Sequence, residues 1–123
     1  MAKSIFDIAS KSIDDQTVQV AQATPIGKCI NYDGSLVSAA GSSFRGITQQ
    51  ESIKSGEFIR TAVMGTCGAQ VGEAVTVGTA LTSDSQGRLV AASSGQFVFA
   101  RALQVAQQAD DYIEIFITRE GKA

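Results

Sequence analysis

Tyr32-Asp33-Gly34-Ser35-Leu36-Val37-Ser38-Ala39-Ala40 and Asp84-Ser85-Gln86-Gly87-Arg88-Leu89-Val90-Ala91-Ala92 are the stretches whose reading decides the fold. Each is a Gly-centred turn that runs into a short apolar strand. Glycine accepts positive φ at no steric cost, so such a turn between apolar runs marks a hairpin. Gly34, Leu36, Val37, Ala39 and Phe44 meet the same residue type 53 positions later, at Gly87, Leu89, Val90, Ala92 and Phe97. The first stretch continues through Phe44-Arg45-Gly46-Ile47-Thr48 to an alternating strand that follows Ser55-Gly56-Glu57. The second continues through Phe97-Val98-Phe99-Ala100-Arg101-Ala102 to Tyr112-Ile113-Glu114-Ile115-Phe116-Ile117. The likeness fits a duplicated half-barrel, and equally the shared chemistry of short hairpins, which reuse the same turn residues.

Outward from these turns the period stays at two. Residues 17–23 alternate, with Val18 and Val20 on one face, and Pro25, the only proline, ends that run. Residues 28–32 and 36–38 form the arms of the first hairpin. Gly46 inside a strand predicts a bulge or a close backbone approach. Ile59, Thr61 and Val63 are β-branched and suit a pleated surface. Gly65, Gly68 and Gly72 read as a crossover between the copies. Strands are expected at residues 73–78, within 96–105 and at 112–118. The fold class is therefore mainly β: a small barrel or sandwich-like domain with short hairpins over residues 16–123, plus an N-terminal arm or short helix over residues 1–15.

That leading segment differs from the rest. Ser4-Ile5-Phe6-Asp7 has the form of a capping box. Ile5, Phe6 and Ile8 are its apolar anchors, either for a helix packed on the barrel or for an extended arm docked on a neighbour. Lys11, Asp14 and Asp15 then break the apolar pattern.

The chain is 18% charged, below the usual ~25%, and the difference is made up by small and neutral polar residues. Such a surface suits packing against other protein. Net charge is −2 with no Lys or Arg run, so the footprint of nucleic-acid binding is missing. No apolar run approaches the ~18 residues of a membrane-spanning helix. The first residues lack a secretory-signal pattern, so synthesis in a host cytoplasm is expected. In that compartment Cys29 and Cys67, the only cysteines, are expected as buried free thiols. There is no His, which removes the usual general base and metal ligand, and no metal or other cofactor is expected. Asp14-Asp15 and Asp110-Asp111 are adjacent pairs that read as solvated caps, not as a catalytic dyad. Arg45, Arg60, Arg88 and Arg101 are expected to pair across strands with Glu57, Glu73 and Glu114. No enzymatic activity is expected.

In layout the chain resembles bacteriophage capsid decoration, or cement, proteins of the small β-barrel, β-tulip-like type. The likeness lies at Asp33-Gly34, Gly46-Ile47-Thr48, Ser55-Gly56-Glu57-Phe58-Ile59, Val71-Gly72-Glu73-Ala74-Val75, residues 81–89, Ala100-Arg101-Ala102-Leu103 and Tyr112-Ile113-Glu114-Ile115, and spans about residues 25–118. The chain departs from the pattern at Phe99-Ala100-Arg101-Ala102, where such proteins show a glycine opening the strand, and in its N-terminal lead. The resemblance implies a non-enzymatic virion protein on the outer surface of an expanded head. It implies the major capsid protein as partner, self-association as a homotrimer, and an N-terminal arm (here Ile5, Phe6 and Ile8) that contacts the shell. Another virion component, such as a head fibre base or tail part, and a small-ligand-binding β-barrel are the alternatives.

Overall fold

Both Gly-centred turns form, and they open two units that follow the same course. A computed structural model describes residues 11–123, with side chains from residue 15 onward. The strands are β1 (Lys11–Gln19), β2 (Cys29–Ile30), β3 (Gly46–Thr48), β4 (Phe58–Gln70), β5 (Ala80–Ser83), β6 (Leu89–Ala91), β7 (Phe97–Ala102) and β8 (Tyr112–Lys122), with no helix among the described residues. They form one antiparallel sheet in the order β2-β3-β4-β8-β7-β5-β6, and β1 pairs with β4. The sheet curls into a nearly closed barrel. The Cys29 N–H donates to Gly87 O at 2.8 Å, which brings β2 against the turn that precedes β6.

β4 is the shared element. Ala62 is partnered by Asp15 of β1 and Ile47 of β3; Gly65 is partnered by Ser12 of β1 and Ile117 of β8. A strand has only two edges, so β1 lies along one of them while β3 and β8 divide the other. Gly65 and Gly68, read above as a crossover, lie inside β4 instead. The strand passes without a break from the end of the first unit into the start of the second.

The backbone bonds show how closely the units correspond. In the first, the Val20 N–H donates to Glu57 O and the Gly56 N–H to Val20 O; in the second, Val71 does the same with Asp111 O and the Asp110 N–H. The mutual pair Thr24–Ser52 recurs as Val75–Ala106, and Gly27 N–H to Thr48 O recurs as Gly78 N–H to Ala102 O. Pairings Gln19↔Phe58 and Cys29↔Ile47 recur as Gln70↔Tyr112 and Ala80↔Arg101. The turns match as well: Asn31 N–H to Ser35 O recurs as Asp84 N–H to Arg88 O. By this equivalence β1 corresponds to the second half of β4, so the repeat begins well before the turns that revealed it.

Most of the core lies in one cluster inside the barrel, where the rings of Phe44 and Phe99, one from each unit, stack at 4.2 Å between centroids. A smaller cluster of Val18, Val20, Ile30 and Ile59 lies under β1. Gly46 shows the close approach that its place in a strand predicts. A Cβ there would stand 2.4 Å from Ala62 O and 2.9 Å from Thr61 Cγ2. Gly34 has φ +87°, and a Cβ would strike Gln19 O.

Where β8 diverges from β3 along β4, Arg119 fills the fork. Its φ is +47°, and its guanidinium donates to Val63 O at 3.3 Å, to Phe44 O at 3.2 Å and to Arg45 O. It also lies 4.9 Å from the centre of the Phe99 ring.

Other expectations shift. β1 starts at Lys11, so the sheet takes in residues 11–15, which the sequence pattern left with the leading segment. Residues 73–78 form no strand but a loop held by Val75 and Ala106. The apolar stretch of 96–105 is a strand only as far as Ala102. Ile5, Phe6 and Ile8 lie outside the described residues.

Candidate binding surfaces at the loop clusters of the barrel

The groups with most chemical potential are occupied or hidden. Cys29 and Cys67 are free thiols, each 0% exposed, and burial raises both thiols' pKa well above the ordinary value. A thiol so placed is a core residue, not a nucleophile. Asp111 is not the solvated cap that its sequence position suggests: it is buried, and its Oδ2 accepts the Gln107 N–H at 3.0 Å. Asp110 accepts from Arg88 at 3.0 Å, and Arg88 also holds Asp84 at 3.0 Å. Arg60 and Arg101 do pair across strands, but with other acids than expected. Arg60 lies 3.8 Å from Asp15, and Arg101 holds Glu120 at 2.7 Å. Arg45 holds the Gln16 amide oxygen at 2.9 and 3.1 Å. Glu57 and Glu73 accept from backbone instead, at Ile53 and at Ala91. Among the described residues no three His, Cys, Asp or Glu gather to hold a metal.

What remains is surface. A hollow of about 370 Å³ opens at the fork, lined by Gln16, Tyr32, Arg45, Val63, Met64 and Arg119. Both of its guanidiniums are already bonded within the chain, Arg45 to Gln16 and Arg119 to three carbonyls.

The connecting loops form two clusters, one for each unit. The first comprises residues 21–28 and 49–57, the second residues 71–79 and 103–111. β4 curves, so its last residues return to the first unit's loops: the Gln70 N–H donates to Gly27 O at 2.9 Å and the Gln49 amide to Gly68 O at 3.2 Å. The loops are built alike down to their side chains. Gln50 Oε1 accepts the Arg60 N–H as Gln104 Oε1 accepts that of Glu114. Glu57 accepts the Ile53 N–H as Asp111 accepts that of Gln107.

Their exposed residues differ. The first cluster carries Glu51, Lys54 and Glu57 beside exposed Ile53 and Phe58. The second exposes Val77, Leu103 and Val105 (61%, 40% and 59%) beside a hollow of about 290 Å³ lined by Ala74, Val75, Thr76, Thr79, Ala91, Val105 and Ala106. Residues 74–79 and 103–109 contain no charged residue. Sequence reading missed this cluster because its residues were taken for core strands. A signal was present all the same: two uncharged segments, each close to a glycine- or alanine-rich turn, with more large aliphatics than their counterparts in the first unit.

The fold has known counterparts. It is similar to the head fiber gp8.5 N base of bacteriophage phi29 in its crystal structure, with a TM-score of 0.71 and 16% identity, covering 89% of this chain and 97% of that one. No curated protein matches the sequence. The family model for the phage cement protein matches residues 8–117, across both units and the strand that joins them. A family match over that span, on a barrel of the type found in a phage head fiber base, shows that this chain belongs to the phage cement protein family and is a structural protein of a phage particle.

Proposed function

We propose that the protein is a capsid decoration protein. It binds the outer surface of an expanded phage head and stabilises contacts between major capsid subunits, without catalysing a reaction. The observation that carries this reading is the cement-family match over residues 8–117. The low charge, the absence of His and the two engaged guanidiniums in the fork hollow favour a protein partner over a small ligand or nucleic acid. Self-association as a homotrimer belongs to the same reading, and repeated attachment around a shell turns modest contacts into firm binding. Ile5, Phe6 and Ile8 serve as a second point of attachment.

The direct test mixes the purified protein with undecorated expanded heads. Saturable, stoichiometric binding and a higher head melting temperature are expected. Neither binding nor stabilisation would overturn the reading. Light scattering reads the mass in solution, where three copies are expected.

A second reading, the base of a head fibre, is favoured by the match to the phi29 head fiber base. Electron microscopy of intact particles separates the two: a bare knob on the shell supports decoration, and a knob carrying a fibre supports the base.

A further inference from the structure

The outer face of the sheet carries two large apolar side chains beside the start of β1. Lys11 is paired with Thr66 of β4, and Thr66 with Phe116 of β8. Phe116 is 46% exposed. Met64, 50% exposed, lies two residues from Thr66 on the same face of β4. It stands diagonally across from Phe116, within reach of an aromatic ring. Lys11, Asp14 and Glu114 border this patch by register. Arg101, the β7 partner of Phe116, holds Glu120 at 2.7 Å and donates to Gly78 O. A strand that continued β1 backwards along β4 would not fit. Val71 bonds Asp111 on the β8 side, so Gly68 and Gln70, which alternate with it, point to the edge that β1 follows. Those places are filled: Gly68 O accepts the Gln49 amide at 3.2 Å, and the Gln70 N–H donates to Gly27 O at 2.9 Å. The chain before Lys11 therefore has to leave this edge. The barrel interior is occupied by the core, and the outer face is the open side.

We infer that the outer face at Met64 and Phe116 is a seat for the chain's own leading segment, and that Ile8 covers it. Reach selects the residue. Ile8 stands three residues before Lys11, about 10 Å of extended chain. β8 lies two strand spacings from β1, also about 10 Å. Ile5 and Phe6 stand roughly 15–20 Å before Lys11, past the patch. An aliphatic side chain laid over a thioether and an aromatic ring removes apolar surface from water on both sides. The chain's own segment is favoured over that of a second copy because it is tethered at Lys11. A short tether holds it at an effective concentration on the order of millimolar. Ordering the segment offsets most of the gain, so the seat sets its direction and adds little stability. The seat itself stands apart from the decoration reading. Under that reading it divides the segment: Ile8 holds the barrel, and Ile5 and Phe6 are presented to the shell.

The test places cysteines at the two positions of the contact. In Ile8→Cys/Phe116→Cys, mild oxidation of the dilute full-length protein should close a disulfide within one chain. The native Cys29 and Cys67 are both 0% exposed and do not compete. Ile8→Cys/Phe58→Cys is the reference, because Phe58 is exposed and lies eight residues along β4 from Thr66. Closure at position 116 should be at least about tenfold faster than at position 58, read by mass spectrometry of non-reduced peptides. Equal rates for the two pairs would mean an unseated segment and overturn the inference. Disulfide-linked dimers in place of the intrachain product would put the segment on another copy and overturn it as well. If either double variant does not fold, the unmodified protein decides by NMR. Nuclear Overhauser contacts between the Ile8 methyls and the Phe116 ring are expected, and their absence overturns the seat. Shell binding is read separately by co-sedimentation with undecorated expanded heads. If wild type does not bind them, the decoration reading fails while an intrachain disulfide at position 116 still establishes the seat.

Discussion

Arg119 is the residue on which the geometry of the barrel turns. It stands where β4 exchanges β8 for β3, and three carbonyls converge on its guanidinium. Arg119→Ala is expected to lose roughly 2–3 kcal/mol of stability in urea unfolding, since the carbonyls lose a charged donor and Phe99 its cation contact. Arg119→Lys should recover only part of this, because one ammonium cannot replace a planar fork of donors. At the surface, Glu120 offers a pH readout. Its pKa is held down at about 2, from 4.5, by the hydrogen bond from Arg101 and then by that from Thr118. A carboxylate depressed in this way adds stability that is fully present above pH 4.5 and is lost as pH falls towards 2. A carboxyl titration followed by NMR should find the low midpoint, and Arg101→Gln should return it towards 4.5.

Among the elements, β1 redraws the leading segment. Because Lys11 pairs with Thr66 and Asp15 with Ala62, removal of residues 1–10 should leave the sheet whole, whereas removal of 1–15 strips part of an edge strand from β4. The shorter deletion should keep the thermal midpoint within a degree or two; the longer one should lower it, measurably by calorimetry. Sequence reading caught what local chemistry determines. The turns at Gly34 and Gly87 and the close approach at Gly46 follow from glycine's missing side chain, and the alternation around Ile59 and Ile113 follows from a half-buried sheet. Long-range pairing escaped it. The charges at Lys11, Asp14 and Asp15 hide the pairing of β1, because its partner β4 is remote in sequence. Val75 and Val77 alternate like a strand, yet Val75 pairs only with Ala106 and Val77 faces solvent, so periodicity alone took a surface for a core. The candidate face was hidden for the same reason, since an exposed aliphatic and a buried one look alike until the neighbours are placed.

The whole molecule is two units that cannot be separated. β4 ends one and begins the other, so there is no linker at which either could melt alone. Unfolding is expected to be a single transition, with coincident curves from circular dichroism and tyrosine fluorescence. A fragment of residues 11–64 should remain unfolded, because it lacks Phe99 to stack on Phe44 and Arg119 to close the fork. The continuity of β4 also has a mechanical consequence. A pull along this strand meets β1 on one side and β3 and β8 on the other. Its ladder bonds are then strained together in shear, not opened one after another as in peeling, and a protein gripped at Phe58 and Gln70 resists extension with three flanking strands at once.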